Sequence, residues 1–116
     1  MRFSASFGNL TRELLVHMLT GMSKLTDVEV CALVIADGKG IELCAVTDTS
    51  SAFGKIDFQE FLTFRVQSRA DNVIALEVKI GALLVALRDR SGADEMTLKL
   101  AKDSNGNILL TLWRRP

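Results

Sequence analysis

At 116 residues the chain suits one domain, long enough to bury a core without disulfide or metal staples. Hydrophobic residues make up 48% and charged residues 24%, which excludes a disordered polar chain. Fourteen Lys and Arg cancel fourteen Asp and Glu, so a nucleic-acid or membrane partner has to be met by a local patch, not a global field.

The opening "MRFSASF" has no signal-peptide core, and no apolar run approaches roughly eighteen residues, so the chain reads as soluble and intracellular, with no membrane partner. Arg2 to Phe7 alternates, with Phe3, Ala5 and Phe7 on one face and Arg2, Ser4 and Ser6 on the other, which predicts a strand with one wet face. Gly8-Asn9 interrupts it, and Asn9 can cap the helix that follows. Across residues 10–25, Leu10, Leu14, Leu15, Met18, Leu19, Met22 and Leu25 recur at helical spacing, and Arg12, Glu13, His17, Thr20 and Lys24 take the polar side.

"VEVCALVI" (28–35) and "IELCAV" (41–46) flank Asp37-Gly38-Lys39-Gly40 and predict a hairpin. Pairing Ile35 with Ile41 sets Cys44 opposite Ala32 and Cys31 opposite Ala45, so the two thiols point to opposite faces and are expected reduced. "DTSSAFG" reads as loop, "KIDF" and "TFRVQ" as strands, "ADN" as a turn and "VIALEV" (73–78) as a further strand. A second helix is expected over residues 80–90, ended by Ser91-Gly92. "MTLKLA" and "ILLTLW" close the chain as a hairpin about "DSNGN".

The predicted order is β-α-β-β-β-β-β-α-β-β, an α+β fold. It suggests a βαβββ unit used twice, with both helices packed on one face of an antiparallel sheet. Leu14, Met18, Met22, Leu83 and Leu87 are expected to be nearly inaccessible.

Little in the sequence points to catalysis. A nucleophile needs a base held beside it, and His17 is the only histidine, on the polar side of a helix. Asp57 and Glu60, or Asp94 and Glu95, could pair, but they lie in loops and at strand ends, where carboxylates form turns or stay solvated. "DGKG" is too short for a phosphate loop and no helix follows it, while "DSNGN" lacks the spacing and closing glutamate of a calcium loop. One histidine and two cysteines outside any C-x-x-C leave a zinc site without ligands. The phenylalanines and Trp113 read as core packing more than as a stacking series beside basic residues. No enzyme, cofactor or metal is expected.

The "MRFSASF" strand, the helix "LTRELLVHMLTGMSKL", "FQEF" (58–61), "ALEVKIGALLVALR" and "LKLAKDSNGNILLTL" together resemble the N-terminal domain of DNA sliding clamps. The Hus-type subunit of the heterotrimeric nine-one-one checkpoint clamp is the best match, over nearly the whole chain and by diffuse patterning. The resemblance implies a nuclear, non-catalytic, PCNA-like ring subunit in the DNA damage checkpoint and repair, with helices lining the hole and sheets forming the outer wall. Its partners would be the other ring subunits and duplex DNA, met through sequence-independent phosphate contacts. Lys24 and Arg88 match inward-facing basic positions, and Arg12, His17 and Arg90 complete the expected DNA-facing set. His17 and Val85 fall where some clamps carry lysine. The chain ends at "LWRRP", before the family's ring-pairing strand and second domain, so residues 1–116 are expected to be the N-terminal clamp domain of a longer subunit. The alternative is a small scaffold of roadblock or profilin-like type, for which "VEVCALVIADGKGIEL" would pass as the central hairpin.

Overall fold

The computed structural model describes residues 1–26, 29–69, 71–88, 95–102, 104–105 and 108–115. Its elements are β1 (Arg2–Phe7), α1 (Asn9–Thr26), β2 (Val30–Ala36), β3 (Gly40–Val46), β4 (Ser51–Asp57), a 3-10 turn (Phe58–Glu60), β5 (Thr63–Gln67), β6 (Val73–Lys79), α2 (Ile80–Arg88), β7 (Glu95–Lys102) and β8 (Ile108–Arg115). The α+β class and the order of strands and helices are as expected. The strands, however, form two four-stranded antiparallel sheets, β5-β1-β7-β8 and β4-β3-β2-β6, where one sheet was expected.

The division arises because the strands following each helix pair with the strand preceding the other. β2, which follows α1, pairs with β6, and β7, beyond α2, pairs with β1. The two β-α-meander halves thus exchange partners. Alternation within a strand specifies which face is apolar but not which strand lies beside it. The inward residues of both sheets and both helices meet in one core that includes Phe3, Phe7, Leu19, Leu33, Ile35, Leu43, Leu84, Leu87 and Leu98. Edge-to-face rings reinforce one side of it: Phe3 with Phe64 at 5.7 Å and Phe7 with Phe61 at 6.0 Å between centroids.

The β2–β3 hairpin has the expected register, Ile35 opposite Ile41 and Ala32 opposite Cys44. Its turn uses a positive φ at Gly38 (71°) and at Gly40 (131°). The loop expected at "DTSSAFG" is strand from Ser51 onward, with Cys44 opposite Phe53 and Leu43 opposite Gly54. Little in β4 alternates clearly, since Phe53 points to solvent and Gly54 has no side chain. Gly54 earns its place in the packing, because a Cβ there would run into the Met18 side chain of α1. Asp57 caps the 3-10 turn by accepting from the Gln59 amide at 3.0 Å, the turn-forming role expected of it.

Helix α1 begins one residue earlier than expected. The Gly8 carbonyl accepts the Arg12 amide at 3.1 Å, so Asn9 lies inside the first turn and does not cap it. Its rotation also differs. Thr11, Arg12, Leu15, Leu19 and Met22 face inward, while Leu10 is 71% and Leu14 40% exposed. Apolar residues cover more than half of this helix's circumference, so periodicity alone leaves its roll open. Of the other residues expected to be inaccessible, Met22 and Leu87 are buried and Met18 and Leu83 half-buried. Replacing Leu14 by Ala should therefore cost under about 1 kcal/mol, well below the penalty of a buried leucine. A urea midpoint displaced by several times that would mean that the helix is rolled the other way.

Helix α2 ends, within the described residues, at Arg88; Asp89, Arg90 and the Ser91-Gly92 stop lie outside them. Among the described residues, no helix is long and apolar enough to cross a membrane.

Candidate nucleic-acid interface

The helices lie side by side, and their outward stripes form one surface. On α1 that stripe carries Leu10, Glu13, Leu14, His17 and Lys24, and on α2 it carries Gly81, Ala82, Val85 and Arg88, all exposed. The spacings of three, four and seven residues put each set on one side of its helix. Three of the five residues expected to face DNA therefore share this surface: Lys24, His17 and Arg88. Val85, 73% exposed, holds the apolar position between them.

Two hydrogen bonds cross between the helices. Arg88 donates through Nη2 to Thr20 Oγ1 at 3.1 Å, which ties an exposed guanidinium of α2 to the flank of α1. Arg12 donates through Nη1 to the Leu87 carbonyl at 3.4 Å. Its residue is only 7% exposed. The expectation that Arg12 offers charge to solvent is thus corrected. It sits between the helices, its guanidinium on a carbonyl of the last turn of α2, where the helix dipole favours positive charge. Arg90 lies outside the described residues.

An open cleft of about 510 Å³ runs between the helices, lined by Arg12, Glu13, Val16, His17 and Arg88. With the outward Glu13, Lys24 and Arg88, and His17 neutral, the exposed stripes carry a formal charge of −1 + 2 = +1. A surface of this kind, largely apolar with sparse positive charge, can meet a polyanion without holding it tightly. Lys24 lies in the last turn of α1, where the dipole favours a cation and the side chain is free to extend. By its place in the sequence Thr20 is only a polar helix residue. Its part in fixing Arg88 has no local signal, because the two residues are 68 apart in sequence and meet only when the helices pack.

Cys31 and Cys44 are free, and Cys31 is buried. Burial, with a smaller contribution from neighbouring Cys44, pushes the Cys31 thiol up to about 11, so it stays protonated at neutral pH.

A family model described as Hus1-like protein matches residues 1–113. The chain is also 31% identical over 121 aligned residues to a protein named Checkpoint protein hus1 from Schizosaccharomyces pombe. That alignment covers 97% of this chain and 39% of the yeast protein, so the chain spans about two fifths of the length of that relative.

Proposed function

The chain belongs to the Hus1-like family, and from that membership we propose that it serves as a non-catalytic subunit of a ring-shaped checkpoint clamp. In this reading the 116 residues form the N-terminal one of the two clamp domains of a longer subunit. The ring, completed by other subunits of a heterotrimer, encircles duplex DNA in the nucleus and gathers checkpoint and repair partners. The observation that carries the proposal is the paired helix surface: two adjacent helices present Lys24, His17 and Arg88 outward on one side of the core. Its low charge suits a device that holds DNA by enclosure, since phosphate contacts then need only be weak and indifferent to sequence. The Hus1-like match leaves the roadblock or profilin-like scaffold without a supporting observation.

The test uses the ring assembled with its partner subunits and loaded on nicked circular duplex. Changing Lys24→Glu and Arg88→Glu together should weaken retention equally on unrelated sequences. It should also flatten the dependence of log K on log salt by about two, one for each lost phosphate contact. Thermal stability should stay nearly constant, because exposed helix charges contribute little. Unchanged retention, or a loss confined to particular sequences, would refute an inward-facing helix surface.

A further inference from the structure

The solvent face of the β5-β1-β7-β8 sheet carries a basic cleft that the helix surface does not use. β1 places Arg2 and Ser4 there, on the side opposite the buried Phe3, Ala5 and Phe7. Strand register sets Ser4 opposite Arg65 on one neighbour and opposite Lys99 on the other, with Arg2 opposite Gln67. Three cations therefore surround Ser4. Strands lie about 4.8 Å apart, so Arg65 and Lys99, two strands away from each other, are separated by on the order of 10 Å at the backbone.

These side chains line a cleft of about 620 Å³, to which the β2–β3 turn adds the carboxylate of Asp37. Arg2, Arg65 and Lys99 are all exposed, and among the described residues none of them takes part in an ion pair. The Lys99 ammonium lies instead 5.9 Å from the ring centroid of Trp113, itself 61% exposed. Like charges gathered this closely repel, and exposed ones return little to folding. The cluster thus presents an unneutralised positive field beside hydroxyl and amide groups and an accessible indole.

We propose that this cleft docks an acidic peptide segment of a partner protein. Its carboxylates would lie among Arg2, Arg65 and Lys99, and a neighbouring apolar side chain would rest on Trp113. The guanidinium groups match carboxylates in bidentate geometry, and an aromatic with an arginine pair is the composition that anchors interfaces. Size favours a peptide over a duplex. The positive charge is confined to a few strand spacings, whereas duplex phosphates continue along the helix axis and would need a longer basic track. Asp37 at the cleft also opposes a continuous polyanion, while a peptide with spaced carboxylates can avoid it.

Fluorescence anisotropy with a labelled Asp- and Glu-rich peptide containing one leucine tests the proposal directly. The peptide should bind saturably, and its Asn/Gln analogue should not. Arg65→Glu with Lys99→Glu should weaken binding by at least about tenfold, Asp37→Asn should strengthen it, and rising salt should weaken it. Lys24→Glu with Arg88→Glu should leave it unchanged, which separates this site from the helix surface. If the charge-reversed pair melts early, Arg65→Gln with Lys99→Gln serves in its place, with the same direction of effect. Absence of saturable binding, equal binding of the amide analogue, indifference to the cleft substitutions, or a duplex oligonucleotide that displaces the peptide from the cleft at lower concentration would each overturn it.

Discussion

Replacing Arg12 by Glu is expected to destabilise the fold by at least about 3 kcal/mol, because it buries a carboxylate where a cation now donates to a helix carbonyl. Arg12 is 7% exposed, and its guanidinium donates to the Leu87 carbonyl. The substituted side chain would face that same carbonyl with a like partial charge and no donor. For a domain of this size the penalty corresponds to a fall in melting temperature of roughly 12 °C or more. Arg12→Met, which keeps the bulk and loses only the charge and its hydrogen bond, should cost about 1–3 kcal/mol. A melting temperature for Arg12→Glu within a degree or two of the parent would place Arg12 on the surface and restore it to the candidate DNA contacts. Thermal unfolding followed by circular dichroism is sufficient to decide.

Gly40→Ala should be nearly as damaging. Gly40 sits at φ 131°, a backbone conformation in which L side chains are strained. An added Cβ would also meet backbone, namely the Ile56 carbonyl oxygen and, at 2.8 Å, the Phe58 nitrogen. Neither can rotate away. β3 pairs with β4 here, Gly40 opposite Asp57, so relief requires the end of that ladder to open. A loss of about 3 kcal/mol follows from the two effects together. Gly54→Ala is the contrasting case. The atom in its way is the terminal methyl of Met18, which is flexible, so the cost should be clearly smaller. Denaturant unfolding of the two variants should rank them in that order, and the reverse ranking would show that the β3–β4 junction is looser than its geometry indicates.

Much of this protein was readable from local pattern. Period-two alternation in "RFSASF" predicted that Phe3, Ala5 and Phe7 are buried, and they are. The Asp37–Gly40 turn predicted the hairpin register, and Ile35 lies opposite Ile41. Both rest on interactions within a few residues, where the geometry of a strand or turn is dictated by the residues that form it. What the helices do with their charges was not readable in that way. Arg12 and Arg88 are both arginines beside apolar helix positions, yet one is enclosed and the other exposed. The Leu87 carbonyl that takes Arg12 is 75 residues along the chain, and the Thr20 hydroxyl that steadies Arg88 is 68 away. The exchange of β2 and β7 between the two halves is equally non-local. A helix apolar over more than half its circumference has several rolls of similar burial energy, and a strand with one apolar face has several acceptable neighbours. The choice among them is made where distant elements meet, here where Arg12 reaches the Leu87 carbonyl and Arg88 the Thr20 hydroxyl.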